Sequence, residues 1–221
     1  MIRGVIFDMD GVVIDSGEVI YSSWNDIFYK EFSITLPREE VAQQLGKSPK
    51  DFTQHFIDKY RLKISNGELD IKIAMREDEL AHTVMLKPGI KELMARLKGK
   101  YKMALATGAS RKNAEYYVNK FGLGSYLDFV IGGDEVREAK PNPEIFLNAA
   151  RNLNLKPGEC VVIEDAILGI TAAKRAGMKV ISIPDAFTAH QDHSTADMQL
   201  KSAFEISDNI LKKLGDNHGQ E

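Results

Sequence analysis

The sequence predicts an α/β fold, a doubly wound parallel sheet carrying an inserted all-helical segment. Three observations lead there. Short apolar runs that do not alternate with polar residues recur along the chain, helical patterns separate them, and the stretch from Ser16 to about Met85 shows helical spacing alone. With 221 residues, 43% hydrophobic and 28% charged, the chain can bury a sizeable core and hold one large domain with an insert.

The first run, Gly4 to Phe7, reads as a buried strand ending in the acidic loop Asp8-Met9-Asp10-Gly11. The insert follows at once. Its apolar residues recur as Ile20, Trp24 and Phe28, then Phe52, Phe56 and Tyr60, then Leu69, Ile73, Leu80 and Val84. Pro37 and Ser48-Pro49 mark helix starts, and Asn66-Gly67 marks a turn. An insert leaving the first strand at this point emerges at the carboxyl edge of the sheet, where open α/β folds bind ligands. It is placed to cover an active site, and its aromatic residues read as packing among helices. The expected division is a core of residues 1–15 and 86–221 with a helical cap of residues 16–85.

Further strands are expected at Met103–Ala106, Phe129–Ile131, Val161–Ile163 and Val180–Ile183. Ser110 precedes a helix from Arg111 to Phe121 that Gly122 ends, Pro143 opens one running to about Asn152, and Gly177 closes one beginning near Leu168. Right-handed crossovers place such helices on both faces of the sheet. Cys160, the single cysteine, lies in the apolar run Cys160-Val161-Val162-Ile163 and reads as a buried small hydrophobe. The polar tail after Gly215 reads as frayed.

Lys and Arg total 29 against 32 Asp and Glu, a net charge of −3, so there is no basic excess to suggest a nucleic-acid partner. A small metabolite is the expected partner. The apolar start of the chain is too short for a signal peptide or a membrane span, which makes a cytoplasmic home, no membrane partner, and a monomer or weak homo-oligomer the expectation.

The chemistry sits at the strand ends. Asp8 and Asp10 follow the first strand, and Gly11 allows the tight turn after them. Two acids ending a buried strand are costly unless a cation or partner is near. Thr107-Gly108 follows the second core strand, Gly132-Gly133-Asp134 and then Lys140-Pro141 follow the third, and Glu164-Asp165 follows the fourth. Acids for a divalent metal, a hydroxyl and amides for phosphate oxygens, and a lysine for charge form a set suited to phosphoryl transfer.

Asp8-Met9-Asp10-Gly11-Val12, Thr107, Lys140-Pro141 and Glu164-Asp165, in this order along strand ends, resemble the four motifs of the haloacid dehalogenase superfamily. The wording Asp8-Met9-Asp10-Gly11-Val12-Val13-Ile14-Asp15-Ser16, with a helical insert after it, is similar to the β-phosphoglucomutase and phosphoglycolate phosphatase branch. The resemblance covers residues 1 to about 185. It implies a Rossmann-like core in which Asp8 becomes an aspartyl phosphate and Asp10 protonates the leaving oxygen and then activates water. It further implies that Asp8, Asp165, the Asp10 backbone carbonyl and Glu164, directly or through water, hold Mg²⁺. Thr107 and the Gly108 N–H would bind phosphoryl oxygens, and Lys140 would offset the charge at Asp8.

Neighbouring residues have plainer readings. Asp15 and Ser16 read both as a hinge between core and insert and as a cap for the next helix. Ser110 reads as a helix cap, Arg111 and Lys112 as solvated residues opening a helix, and His190 and His193 as surface histidines without a ligand cluster. Two departures separate this chain from mutases. Ile20 stands where β-phosphoglucomutases carry a histidine, and Gly46-Lys47-Ser48-Pro49-Lys50 offers lysines where they use an arginine, so the bidentate fork is missing. The expected activity is therefore a Mg²⁺-dependent phosphatase acting on a small phosphorylated metabolite such as a sugar phosphate. A hexose-phosphate mutase and a non-catalytic phosphate-binding module are the alternatives.

Overall fold

Strand β1 (Gly4–Phe7) is buried along its whole length. Alternate side chains of a strand project to opposite faces, and accordingly Val5 and Phe7 belong to one apolar cluster and Ile6 to another. A strand that is apolar on both faces needs helices above and below it. The computed structural model, which describes residues 1–216, supplies them.

After β1 the short strand β2 (Ile14–Asp15) leads into four helices, α1 (Gly17–Phe32), α2 (Arg38–Ala42), α3 (Pro49–Tyr60) and α4 (Asn66–Leu80). Strand β3 (Met85–Leu86) then returns antiparallel to β2, setting Ile14 opposite Leu86 and Asp15 opposite Met85. From there helices and strands alternate: α5 (Ile90–Leu97), β4 (Lys102–Ala106), α6 (Arg111–Lys120), β5 (Phe129–Ile131), α7 (Glu144–Asn152), β6 (Cys160–Glu164), α8 (Ile167–Arg175), β7 (Lys179–Ser182), β8 (Met198–Gln199) and α9 (Asp208–Asp216). The main sheet runs β5-β4-β1-β6-β7-β8, with every neighbouring pair parallel.

Helices α5, α6 and α9 pack Leu93, Tyr117 and Leu211 onto the Val5 and Phe7 face, whereas α7 and α8 pack Phe146 and Ile170 onto the Ile6 face. From β1 the chain moves first to β4 and β5 on one side, then to β6 and β7 on the other. This reversal opens a crevice at the carboxyl end of β1, the place where such sheets take ligands.

The four helices between β2 and β3 have an apolar cluster of their own, built on Trp24, Phe28, Leu36, Phe52, Phe56 and Leu69. Trp24 stacks on Phe52 with ring centroids 4.3 Å apart, and Phe28 meets Phe56 edge-on at 5.4 Å. The expected packing role of these aromatics holds.

All five expected core strands are present within a residue or two. Strand β8 was not foreseen, since two residues carry no readable pattern. Asn66-Gly67 is not a turn: the Ser65 side chain accepts a hydrogen bond from the Glu68 N–H, so both residues lie in the first turn of α4. Val84 does not extend that helix either. Helix α4 ends at Leu80, a 3₁₀ turn follows, and Val84 packs into the main core. Cys160 is buried as expected, and the tail expected to fray lies, beyond Asp216, outside the described residues.

Candidate active site

The main-chain N–H of Asp8 donates to the Ile163 carbonyl at 3.0 Å, so this aspartate stands one residue past β1 with its backbone still fixed by β6. Gly11 then turns the chain with φ at 77°. Most residues avoid that conformation, and a Cβ there would also run into Asp165 Oδ2. The turn brings Asp10 back to the carboxyl edge, where Ser16 Oγ donates to its Oδ1 at 2.6 Å and Thr107 Oγ1 donates to its Oδ2 at 3.4 Å. Ser16 does occupy the cap position of α1, but its hydroxyl is spent on Asp10 and makes no cap bond.

Lys140 binds two of the acids at once. Its Nζ donates to Asp8 Oδ1 at 2.5 Å and to Glu164 Oε1 at 2.7 Å, and it lies 4.8 Å from the centre of the Phe146 ring. The other Glu164 oxygen accepts from the N–H groups of Asp165 and Ala166, both at 2.8 Å. Gly169 makes room for this arrangement, since a Cβ there would overlap the Glu164 carboxylate. Asp165 receives a hydrogen bond on Oδ2 from Thr188 Oγ1 at 3.1 Å.

Asp8, Glu164 and Asp165 are all buried, and each offers a carboxylate oxygen within 4.8 Å of the others. Among the described residues, Asp8 Oδ2 and Asp165 Oδ1 carry no hydrogen bond, whereas both oxygens of Glu164 are engaged. An all-oxygen set of this kind fits a hard divalent cation, with Asp8 and Asp165 the two best disposed to touch it.

Burial dominates the electrostatics. It pushes the Asp8 carboxyl up to about 8, with Lys140 pulling it back and Glu164 and Asp10 adding to the rise. Asp165 is held well above the usual carboxylate range by burial and by Glu164, Asp8 and Asp185. Asp10 is raised by burial, partly offset by the Ser16 hydroxyl. Burial alone would lower Lys140, but Asp8 and Glu164 outweigh it and keep the ammonium protonated.

Carboxyls whose folded-state pKa is raised give stability that is full below their ordinary pKa and is lost as the pH climbs through the raised value. The metal-free protein is therefore expected to melt at progressively lower temperature as the pH rises toward about 8. Added Mg²⁺ should raise Tm more at the top of that window than at about pH 5. Calorimetric scans with and without Mg²⁺ check this, and an equal Mg²⁺ effect at both pH values would contradict it.

A cavity of about 750 Å³ opens onto these residues. Asp8, Asp10, Gly108, Lys140, Glu164 and Asp165 line its floor. Thr107 does not. It is fully buried, its hydroxyl accepting from the Ala109 N–H and donating to Asp10. From the insert come Lys47, Phe52, Asp70, Glu77 and Asp78, while Lys50 stays exposed outside the cavity. Lys47 Nζ donates to Gln44 Oε1 at 2.6 Å.

Ser110 caps α6 as expected, accepting from the Asn113 N–H. Arg111 turns away to Glu115, Glu135 and the Val130 carbonyl, and Lys112 reaches the cavity wall. His190 is exposed as expected, but His193 is not a surface histidine: it is buried between Ser182 and the Thr188 carbonyl. Asp185 and Thr188 also line the cavity and were missed, although they follow the end of β7 just as Glu164 and Asp165 close β6.

Comparison with known proteins agrees with this geometry. The profile described as haloacid dehalogenase-like hydrolase matches residues 5–183. The (DL)-glycerol-3-phosphatase 1 of Arabidopsis thaliana is 32% identical over 215 residues, covering 93% of this chain and 72% of that protein. A crystal structure of CbbY from Rhodobacter sphaeroides in complex with xylulose-(1,5)bisphosphate superposes with a TM-score of 0.84 at 28% identity, covering 94% and 97% of the two chains. A β-phosphoglucomutase from Clostridium difficile, 23% identical, shares the fold with a TM-score of 0.85 over 98% of each chain. Among the described residues no helix is long and apolar enough to cross a membrane. With its parallel sheet, its acids at the carboxyl edge and a profile match spanning most of its length, the chain belongs to the haloacid dehalogenase-like hydrolase family.

Proposed function

We propose that this protein is a Mg²⁺-dependent phosphatase of small phosphorylated polyols or sugars, working through an aspartyl phosphate on Asp8. The observation that carries the reading is Lys140 bridging Asp8 and Glu164 on the cavity floor, with Asp10 held beside them by Ser16. Asp8 attacks phosphorus in line as the bond to the leaving oxygen breaks, and Asp10 gives that oxygen its proton. Asp10 then takes a proton from water, which attacks the aspartyl phosphate and frees both phosphate and Asp8. Gly108, at the cavity floor, and Thr107, through Asp10, support this geometry. Mg²⁺ held by Asp8, Asp165 and the Asp10 carbonyl, with Glu164 acting through water, would supply positive charge for the phosphoryl oxygens. Residues 16–85 act as a cap, and the β2 and β3 crossings act as its hinges, closing over substrate to limit water.

The cavity wall supports the substrate class. Glu77 has no ion-pair or hydrogen-bond partner among the described residues, it is raised by burial and by Asp10, and Asp70 and Asp78 line the same wall. Carboxyls there suit the hydroxyls of a polyol and, where ionised, repel a second phosphate, and the apolar Ile20 on the cavity wall cannot carry a proton. Both features favour hydrolysis of monophosphates over a mutase cycle through a bisphosphate. The test is Mg²⁺-dependent phosphate release from glycerol 3-phosphate, hexose monophosphates, 2-phosphoglycolate and p-nitrophenyl phosphate. No release from any of them would sink the phosphatase reading, and interconversion of hexose phosphates without net release would favour the mutase.

At pH above about 8, where the raised Glu77 carboxyl is ionised, Glu77→Gln is expected to lower kcat/KM for polyol monophosphates by roughly tenfold, the size of a lost charge-assisted hydrogen bond. Hydrolysis of bisphosphates should improve relative to them. An unchanged ratio between the two substrate types would remove the acidic wall from the specificity account.

A further inference from the structure

We propose that Thr188, in the turn that follows β7, is a positioning residue for the carboxylate of Asp165. The inference rests on the reading that Asp165 holds the divalent cation, and it assigns Thr188 the task of fixing which of that carboxylate's oxygens faces the ion.

A hydroxyl has one proton to give. Thr188 Oγ1 already accepts from the Asp185 N–H at 2.9 Å, so its proton points elsewhere. Two acceptors lie in range, Asp165 Oδ2 at 3.1 Å and the Asp185 carbonyl at 3.5 Å. The nearer one is a carboxylate oxygen, charged whenever Asp165 holds a cation, and a charged acceptor forms the stronger bond. With Oδ2 held, Oδ1, which carries no hydrogen bond among the described residues, is left free for an ion shared with Asp8 and Glu164.

The turn is built to keep Thr188 in place. Thr188 is 1% exposed. Its carbonyl accepts from His193 Nε2 at 2.9 Å, which puts the ring proton on Nε2 and leaves Nδ1 to accept from Ser182 Oγ at 2.8 Å. Asp185 Oδ1 accepts from the Phe187 N–H at 2.9 Å, and Asp185 Oδ2 accepts from Lys87 Nζ at 2.5 Å. Lys87 follows β3 directly, and its own N–H donates to the Val13 carbonyl. Phe187 in turn packs so closely on Gly17 that a Cβ there would run into its ring, and the Arg38 guanidinium lies 4.3 Å from the ring centre. The turn that orients Asp165 is thus anchored to the start of the helical insert.

Partners of this kind commonly carry a ten- to hundredfold share of metal affinity. Mn²⁺ serves as the probe, with binding to the full-length protein read by electron paramagnetic resonance of the free ion. Thr188→Val, which keeps the shape and removes the hydroxyl, is expected to raise the Kd for Mn²⁺ roughly tenfold or more. The Mg²⁺ concentration giving half-maximal activity should rise in parallel. Thr188→Ser, which restores the hydroxyl, should stay within about twofold of the wild type, and Thr188→Ala takes the place of Thr188→Val if the latter does not fold. A folded hydroxyl-free variant with wild-type Mn²⁺ affinity overturns the inference. So does a Thr188→Ser protein as weak as Thr188→Val, because the hydroxyl would then be irrelevant. Wild-type protein that binds no Mn²⁺ fails at an earlier step, overturning the metal reading itself.

Discussion

Asp8→Asn is expected to reduce kcat by about 10⁴-fold or more while leaving the protein folded, the scale seen when a covalent nucleophile is removed. The substitution is nearly isosteric. The amide oxygen of Asn can still accept from Lys140 Nζ, and Glu164 remains to pair with that lysine at 2.7 Å. Stability moves in a different direction from activity. Burial drives the Asp8 carboxyl up to about 8, so its ionised form is disfavoured in the folded protein and its removal relieves that cost at alkaline pH. The metal-free variant should accordingly melt no lower than the wild type near pH 8 and respond less to Mg²⁺. Stopped phosphate-release assays and calorimetry read the two effects separately. A variant keeping more than about 1% of wild-type kcat would exclude Asp8 as the nucleophile.

The floor of the site was legible because each polar group on it follows an apolar strand, and strands buried on both faces are conspicuous as unbroken apolar runs. Gly4 to Phe7 and Cys160 to Ile163 could hardly be read otherwise, and their ends delivered Asp8, Asp10, Glu164 and Asp165. Lys140 follows β5 only after an irregular segment, and its motif was needed to place it. What stayed hidden depends on contacts between distant elements. His193 looked like a surface residue because its partners, Ser182 and the Thr188 carbonyl, meet it only once the chain has folded. Asn66-Gly67 carries turn chemistry, but Ser65 one residue earlier caps the helix and tertiary packing of Leu69 and Ile73 extends it. Glu77 was invisible as a wall residue because a polar position on an amphipathic helix ordinarily faces water.

Lys140→Met is expected to cost about 3–5 kcal/mol of stability at pH 8, the penalty for leaving buried charge without its partner. For a chain of this size that corresponds to a Tm lower by roughly 6–20 °C. Met keeps the length of the side chain and its contact with Phe146, so the loss isolates the charge. Without the ammonium, Asp8 and Glu164 face each other across a buried space, and the Asp8 carboxyl, already raised, is driven further toward its protonated form. The folded protein can escape that cost by taking up protons. Since the Asp8 pKa is raised, the deficit is full at high pH and shrinks as the pH falls toward about 5. Mg²⁺ should shrink it as well, because a cation beside Asp8 and Asp165 supplies the charge that Lys140 no longer does. Catalysis does not recover to the same degree, since the cation sits against different oxygens, and kcat should stay down by about 10²–10³-fold, as when one preorganised electrostatic contact is lost. A Tm deficit that is equal at pH 5 and pH 8 and indifferent to Mg²⁺ would show instead that Lys140 serves mainly as packing against Phe146.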